Sequence, residues 1–386
     1  MWGTVGEDQM RKALASGRKT LGALVLMAVL VARGADANVV TVGPVGATGV
    51  DYNSIQTAIN ALSQVNPATD PDTNTYHTII LQAGTYERGR EESVFRQHYR
   101  ASGWPHDDGR GPIDGSRPHS KSLIVVNDVD EDFDGDGYTN SWLNGLHIIG
   151  AGSGRTIIDS KGLDAGTGGR VLFVKNDNVY IQGLTLRGAR MAVVDDWAFW
   201  RGSGLLCHSA NAVWKDIKVS DCDLSAGASQ NCVNFRDASN IFLDGIEVTG
   251  YNGPGYAFYA VASENSTAPM SGFLANLNVH DNSSSGIGVF FDNNGWCVVF
   301  GALSHHNAGA GLYTGSMNYH SCYAVNCTLA NNGGAGFGVG AYGYGWALNG
   351  IFSGNGASLA DPLYFMQNLI NETGFSFTGN LCDGYG

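Results

Sequence analysis

The segment from Leu277 to Val289 reads Leu-Asn-Val-His-Asp-Asn-Ser-Ser-Ser-Gly-Ile-Gly-Val. It contains two short runs in which apolar residues alternate with polar or small ones, around Val279 and around Ile287. This alternation is typical of β-strands, because successive side chains of a strand point to opposite faces. Asn282 and Gly286 lie between the runs and are residues that favour turns. The segment therefore predicts two β-strands joined by an Asn turn.

The same unit recurs with a constant spacing towards the C-terminus. Asn282, Asn307 and Asn332 are 25 residues apart, and Asn355 follows after 23. Two further columns keep the step of 25: Gly286, Gly311 and Gly336, and then Ile287, Leu312 and Phe337. A unit this short cannot bury its own apolar face, so the units must stack with equivalent positions above one another. The sequence predicts an all-β fold, a right-handed parallel β-helix, in which the Asn side chains form a ladder of amides bonded from coil to coil.

Upstream, the coils continue with longer turns. The apolar residues that head the equivalent runs are spaced by 33, 29 and 31: Leu184, Ile217, Ile246 and Leu277. Nearer the N-terminus, an i, i+3, i+4, i+7 stripe predicts an amphipathic helix that caps the first coil: Ile55, Ala58, Ile59 and Leu62. Long loops on a rigid scaffold often carry function, so we expect the site among the upstream coils.

Three strings of the N-terminal half, at residues 78–86, 146–159 and 178–186, are similar to the opening coils of pectin-lyase-like β-helix proteins. This superfamily includes pectate lyases, pectin methylesterases and polygalacturonases, and the resemblance covers about residues 39 to 380. Members cleave, de-esterify or bind glycans, so the resemblance implies the fold and a polysaccharide partner without selecting a reaction. Asp195 and Asp196 are similar to the adjacent Asp pair of polygalacturonases. The Asn-Thr-Asp, Gly-His-Gly and Arg-Ile-Lys motifs of that family are absent.

Residues 1–37 have the pattern of a secretory signal peptide. A basic region ending at Lys19 precedes the apolar stretch Leu21 to Ala32, and Ala35-Asp36-Ala37 is an A-x-A cleavage site. The apolar stretch is shorter than a membrane-spanning helix requires, so an uncleaved anchor is the lesser alternative. We expect a secreted or cell-surface protein with no membrane contact after cleavage, and a single β-helix domain over residues 38–386.

Composition and cysteine content limit the partners further. The formal net charge of −13 disfavours nucleic acid as a partner, because no basic block offsets it. Seven cysteines in an exported chain permit disulfides and leave at least one thiol unpaired. Cys222 and Cys232, which flank a Ser/Gly/Ala turn, are the first expected pair.

A polar insertion at about residues 88–144 separates two coils that lie close together in the family. It is locally basic, which is consistent either with a flap that contacts a glycan or with a solvated loop. At its end, the D-x-D-x-D-G spacing of calcium loops appears in residues 132–140. Alternate oxygen ligands on such a loop can converge on one hard cation, although Leu143 stands where a bidentate acid is expected. The sequence predicts a structural Ca²⁺ held by Asp132, Asp134, Asp136, Tyr138 and Asn140.

The candidate site follows from the alternation of strand faces. With Val233, Phe235, Tyr256 and Phe258 directed inward, His208, Arg236 and Tyr259 fall in one outward row. The long turn before these coils brings carboxylates and indole rings. The predicted catalytic residues are Asp195, Asp196, His208 and Arg236. The predicted substrate-binding residues are Trp197, Trp200, Asn234, Tyr259 and Tyr313.

Two reactions suit such a groove on an acidic polysaccharide. A lyase needs a base and a cation or arginine that neutralises the uronate carboxylate, whereas a glycoside hydrolase needs two carboxyl groups. A second outward row, Lys218, Glu247, Asn278 with His280, and His305, is the lesser candidate. The alternative to an enzyme is a non-catalytic extracellular scaffold, with adhesive or assembly-forming roles. A Gly-rich outward face from Gly286 onward would then pack laterally against another copy of the chain.

Overall fold

The chain is a parallel β-helix. The structure, a computed structural model, describes residues 39–63, 76–87, 121–127, 143, 145–160, 169–190, 204–224, 231–236, 239–262, 271–291, 295–316, 320–340, 343–356, 375–378 and 381–382. Every strand pairing that joins these residues is parallel, and each strand pairs with its equivalent in the next coil. The all-β, parallel-coil prediction is therefore confirmed.

An eight-stranded sheet forms one side of the helix. Its strands are β4 (Lys121–Asn127), β7 (Gly169–Lys175), β9 (Leu205–Cys207), β11 (Val233–Arg236), β13 (Tyr256–Ala262), β16 (Ser285–Phe291), β19 (Leu312–Ser316) and β22 (Phe337–Val339). They are paired in this order along the helix axis. Consecutive strands of such a sheet lie about 4.8 Å apart.

A larger, 18-stranded sheet forms the remainder of the wall. Its strands are β1 (Val39–Val42), β2 (Thr78–Leu81), β3 (Gly84–Glu87), β5 (His147–Ile149), β6 (Thr156–Asp159), β8 (Tyr180–Arg187), β10 (Val213–Ser220), β12 (Ile241–Thr249), β14 (Ser271–Ala275), β15 (Asn278–His280), β17 (Gly295–Phe300), β18 (Leu303–His305), β20 (His320–Val325), β21 (Thr328–Ala330), β23 (Gly343–Leu348), β24 (Ile351–Ser353), β25 (Phe375–Thr378) and β26 (Leu381–Cys382).

The larger sheet turns a corner at residues with left-handed backbone geometry. The long strands β10 and β12 contain Asp216 at φ 50° and Gly245 at φ 71°. In later coils the equivalent position separates two short strands, as Asn276 at φ 52° does between β14 and β15. Gly, Asn and Asp adopt this conformation most easily, which explains why these residue types occupy the corner.

The core consists of side-chain columns that run along the helix axis. In the eight-stranded sheet one such column is buried throughout: Leu172, Leu205, Val233, Phe258, Ile287, Leu312 and Phe337. On the larger sheet the predicted column of Leu184, Ile217, Ile246 and Leu277 is buried as well. The spacing found in the sequence thus identified true neighbours in space.

The Asn ladder is present and lies inside the wall. Asn282 Nδ2 donates to Asn307 Oδ1 at 2.8 Å, and Asn307 Nδ2 donates to Asn332 Oδ1 at 3.0 Å. Asn332 Nδ2 continues the ladder to Asn355 Oδ1 at 3.0 Å. The first three side chains are buried, and the amides also donate to main-chain carbonyls of the preceding strands. The ladder therefore satisfies polar groups that the turn would otherwise leave buried and unbonded.

A helix, α1 (Ile55–Ser63), forms where the apolar stripe was found. Ile55, Ala58, Ile59 and Leu62 are all buried. Gln56 is bonded to the main chain of β4, donating to Val125 O at 3.0 Å and accepting from Val125 N at 2.7 Å. The helix thus packs on the early strands, and its role as a cap remains a prediction. Among the described residues, no helix is long and apolar enough to span a membrane.

The structure does not contain the expected Cys222–Cys232 disulfide. Both cysteines are buried free thiols, as are four others: Cys207, Cys297, Cys322 and Cys327. They fill core positions as small apolar side chains, which is a common role for free cysteine. The prediction relied on the short distance between Cys222 and Cys232 in the sequence. A turn of this length can direct both side chains into the core without bringing their sulfur atoms into a bond.

Candidate functional site

The outer face of the eight-stranded sheet carries most of the predicted site residues that the structure describes. Asn234 pairs in register with Tyr259, Tyr259 with Gly288, and Gly288 with Tyr313. These positions alternate with the buried core column, so they lie on the outside of the wall. Asn234, Tyr259 and Tyr313 therefore share one outward column that runs along the helix axis.

A second outward column lies two residues further along each strand. Arg236 pairs with Val261, and Val261 pairs with Phe290. Cys207 pairs with Phe235, so the residues that follow them, His208 and Arg236, lie beside each other. The sequence interpretation that put Tyr259 in the row of His208 and Arg236 is thus wrong by two residues. Tyr259 is instead a diagonal neighbour of Arg236 on the adjacent strand.

Four aromatic rings form a cluster on this face, here called the aromatic cluster: Tyr256, Tyr259, Phe290 and Tyr313. Tyr259 and Phe290 have ring centroids 5.0 Å apart, and Phe290 and Tyr313 are 5.7 Å apart. Tyr256 contacts Tyr259 at 5.6 Å and Phe290 at 5.4 Å. All four side chains are partly exposed, so the cluster presents aromatic surface across three successive coils.

Tyr256 was predicted to point inward, and this prediction is wrong. Phe258 and Ala260 hold the two inward positions of β13, because they pair with Val233 and Phe235. Tyr256 has the same strand parity as Phe258, but its ring is partly exposed and contacts Tyr259 and Phe290 on the outer face. Burial within the cluster raises the pKa of its hydroxyl. Burial also raises the pKa of Tyr313, so both hydroxyls stay protonated at neutral pH and can donate hydrogen bonds.

Glycines beside the aromatic cluster make room for its rings. A Cβ on Gly288 would lie 2.7 Å from the Tyr256 ring. A Cβ on Gly338 would lie 2.6 Å from the Tyr313 ring, and one on Gly340 would lie 2.6 Å from the Tyr313 hydroxyl. These glycines do not form a bare flat surface, because large rings lie over them. The lateral homo-oligomer expected from a flat Gly-rich face remains a prediction.

The outward side chains of the eight-stranded sheet are buried in the early coils and become partly exposed in the later ones. Outward side chains of the early coils, Phe173, Leu206 and Asn234, are 4%, 2% and 1% exposed, whereas Arg236 and Tyr259 are partly exposed. Asn234 Oδ1 accepts no hydrogen bond from any of the described residues. His208 lies at this boundary, with its ring 6.2 Å from that of Phe173. A polar amide, an imidazole and a guanidinium therefore meet next to the aromatic cluster.

The other predicted site residues lie outside the described part of the chain. They are Asp195, Asp196, Trp197 and Trp200 of the long turn, and the calcium loop of Asp132, Asp134, Asp136, Tyr138 and Asn140. Among the described residues, no three His, Cys, Asp or Glu side chains are grouped so as to hold a metal ion. The calcium site remains a prediction.

The second outward row is also brought together, on the larger sheet. Lys218 Nζ is 2.7 Å from Glu247 Oε1, and the same oxygen is 3.5 Å from His280 Nε2. His280 stacks on His305 with centroids 5.0 Å apart, and its Nδ1 is 2.7 Å from Asp281 Oδ2. This hydrogen bond lowers the pKa of the Asp281 carboxyl. The side chains of Lys218, Glu247, His280 and Asp281 satisfy one another, which is the arrangement expected of a solvated polar face. The Oδ1 atom of Asn278, in the same row, is buried and accepts no hydrogen bond from the described residues.

No protein-family model and no curated protein sequence matches the chain. Among solved structures, it is similar to pectate lyase Pel9A, with 14% identity, coverage of 90% of this chain and 78% of that chain, and a TM-score of 0.48. The A-module of mannuronan C-5 epimerase AlgE4 from Azotobacter vinelandii has 14% identity, coverage of 85% and 83%, and a TM-score of 0.44. ORF18 of Geobacillus virus E2 has 11% identity, coverage of 85% and 56%, and a TM-score of 0.44.

The chain has a parallel β-helix fold, as its coil-to-coil pairings and core columns define it. One architecture carries several reactions in different proteins, so the reaction has to be inferred from the residues of this chain.

Proposed function

We propose that the chain is an extracellular enzyme that acts on an acidic polysaccharide, bound on the outer face of the eight-stranded sheet. The observation that supports this most directly is the aromatic cluster beside Arg236 and His208. Aromatic rings offer apolar surface on which sugar rings can stack, and Arg pairs with carboxylates through a fixed fork of donors. A polymer with uronate groups fits this combination of apolar and cationic surface.

The described residues of this face favour a lyase over a hydrolase. They supply a guanidinium and an imidazole, whereas none of the described side chains in the two outward columns is a carboxylate. In the proposed reaction, Arg236 pairs with the uronate carboxylate and His208 accepts the proton from the adjacent carbon. The electron pair left behind forms a carbon–carbon double bond, and the glycosidic oxygen leaves and takes up a proton.

A hydrolase would draw its two carboxyl groups from Asp195 and Asp196. The two reactions give different products, which makes the choice testable. A panel of acidic and neutral polysaccharides should be assayed for ultraviolet absorbance of an unsaturated uronate and for new reducing ends, with and without Ca²⁺. Both signals indicate a lyase, and reducing ends alone indicate a hydrolase. Binding without either product would contradict the enzyme and favour the non-catalytic scaffold.

Replacing Arg236 with alanine is expected to lower the rate on the active substrate by about 10²-fold or more, since the carboxylate charge would be left unpaired in the transition state. The matched control is Arg155→Ala, because Arg155 is an exposed arginine on a turn of the larger sheet. Initial rates of both variants, with circular dichroism as a check of folding, make the comparison. Full activity of Arg236→Ala would remove this residue from the proposed site.

Removing a ring of the aromatic cluster is expected to weaken glycan binding. Phe290→Ala should raise the dissociation constant about tenfold, which is the effect of losing roughly 1.4 kcal/mol of stacking and apolar contact. Phe300→Ala is the control, because Phe300 is 38% exposed and lies on the larger sheet. Isothermal titration with an oligosaccharide of the active polymer measures both. Equal affinities of the two variants would place the bound glycan elsewhere.

A further inference from the structure

Two core thiols lie at the same position of neighbouring coils. Cys297 of β17 and Cys322 of β20 are direct partners in the parallel register. Both are completely buried and belong to the apolar core. The next positions of this column, on β14 and β23, are Gly272 and Gly345. The pair therefore has no side chain above or below it in the column, although the Cys327 thiol lies near that of Cys322.

The register places the two residues within the range of a disulfide. Directly paired residues of adjacent parallel strands lie about 4.8 Å apart, inside the 4.4–6.8 Å range of Cα separations in disulfides. Their Cβ atoms point to the same face and are separated by about the same distance, which is about 1 Å more than the roughly 3.8 Å usual in a disulfide. The bond therefore requires a local approach of the two strands. Gly272 and Gly345 have no Cβ atoms that would resist it.

In the folded chain the two thiols are inert. Burial raises the pKa of Cys322 to about 12 and raises that of Cys297 well above its usual value. Disulfide exchange needs a thiolate and an approach path, and the closed core offers neither. Oxidation must therefore occur while the coils are still assembling and the thiols are open to solvent.

We propose that Cys297 and Cys322 form a coil-to-coil disulfide when the chain folds in an oxidising medium that contains a small-molecule disulfide such as oxidised glutathione. One cysteine thiolate attacks the small disulfide and releases one of its thiols, which leaves a mixed disulfide on the chain. The second cysteine thiolate attacks the protein sulfur of that mixed disulfide and displaces the other small thiol. Two protein S–H groups become one S–S bond, and the small disulfide is reduced to two thiols that take up the two protons.

The other described cysteines lack this arrangement. Cys207 pairs in register with Val174 and Phe235, so no thiol lies opposite it. Cys222 and Cys232 lie just outside paired strands, after β10 and before β11. Cys327 is close to Cys322 but follows it by five residues in the same coil, beyond the end of β20. The pair at β17 and β20 is thus singled out by register.

The test is a disulfide map of the full chain folded under two conditions. One sample is refolded with reduced and oxidised glutathione and the other with dithiothreitol, and each is then denatured, alkylated, digested and analysed by mass spectrometry. We expect a linked pair of peptides containing Cys297 and Cys322 in the first sample only. The oxidised protein should also melt roughly 5 °C higher, because a 25-residue loop is closed in its unfolded state.

Two variants serve as matched controls. Cys297→Ala should abolish both the linked peptides and the difference in melting temperature, whereas Cys207→Ala should keep both. The map of the unaltered chain needs no variant to fold, so it decides the proposal by itself. Complete alkylation of all seven cysteines after oxidative folding, or a linked pair that excludes Cys297, would overturn it. Neither result bears on glycan binding by the outer face of the eight-stranded sheet.

Discussion

Replacing Asn307 with alanine is expected to lower the free energy of unfolding by about 3 kcal/mol. Asn307 Nδ2 donates to Val279 O at 2.9 Å, and its Oδ1 accepts from Asn282 Nδ2 at 2.8 Å. The side chain is 2% exposed, so water cannot replace these bonds. Each buried polar group left without a partner costs about 1–3 kcal/mol, and the substitution leaves at least one donor and one acceptor in that state. Urea or thermal unfolding at neutral pH measures the loss.

The control for this variant is Asn252→Ala. Asn252 is exposed, and its hydrogen bonds to Asp223 at 3.1 Å and from Ser283 at 3.1 Å are accessible to solvent. Water replaces such bonds, so the expected loss is below about 1 kcal/mol. Equal losses for the two variants would show that the buried ladder stabilises the turns no more than surface bonds do.

The ladder also explains why so much of the fold was predictable from the sequence. An amide ladder requires the same residue at the same position of each coil, and Asn282, Asn307 and Asn332 meet this requirement with an exact repeat of 25. Core columns need only an apolar residue, so they tolerate variation but keep the spacing. The period therefore gave the direction of stacking and the neighbours of each coil.

The position of Tyr256 could not be predicted from the alternation of β13. Phe258 and Tyr259 point inward and outward as the alternation predicts, and the register with Val233 and Ile287 assigns Phe258 to the buried column. Tyr256 has the same parity as Phe258, yet its ring contacts Tyr259 and Phe290 on the outer face. A signal for the outer face was nevertheless present. Tyr259, Gly288, Tyr313 and Gly338 alternate large and small along one column, as interleaved rings require.

A second ladder of Asn side chains was not predicted from the sequence. Asn211 Nδ2 donates to Asn178 Oδ1 at 3.0 Å, and Asn240 Nδ2 donates to Asn211 Oδ1 at 3.1 Å. These residues start equivalent coils, but their spacings of 33 and 29 differ because the loops between them differ in length. Unequal spacings of this kind still revealed the apolar column of Leu184, Ile217 and Ile246, but they gave no sign that the Asn side chains are bonded to one another. The same variable loops supply Asp195 and Trp200, so the part of the site that they contribute remains a prediction.

Lowering the pH from 7 to 4 is expected to remove about 3 kcal/mol of stability through His147 alone. His147 is 6% exposed and lies between two tyrosine rings, with centroids 5.2 Å from Tyr76 and 5.4 Å from Tyr180. Burial lowers the pKa of this imidazole from 6.5 to about 4. The unfolded chain therefore binds a proton more readily than the folded chain between these values, and acid favours unfolding. Above pH 6.5 the imidazole is neutral in both states and does not affect the free energy of unfolding. Below pH 6.5 the free energy of unfolding falls steadily, until the folded chain is protonated as well at about pH 4.

His147→Phe isolates this contribution, because phenylalanine can keep the contacts with Tyr76 and Tyr180 and does not titrate. Acid also protonates other groups, including Asp281, whose pKa is lowered by its hydrogen bond with His280. That carboxylate likewise stabilises the fold only while it is ionised, and it does so equally in both proteins. The difference in unfolding free energy between pH 7 and pH 4 should therefore be about 3 kcal/mol smaller for the variant than for the unaltered chain. Identical pH dependence of the two proteins would mean that His147 is already protonated in the fold or reaches water, contrary to its position between the coils.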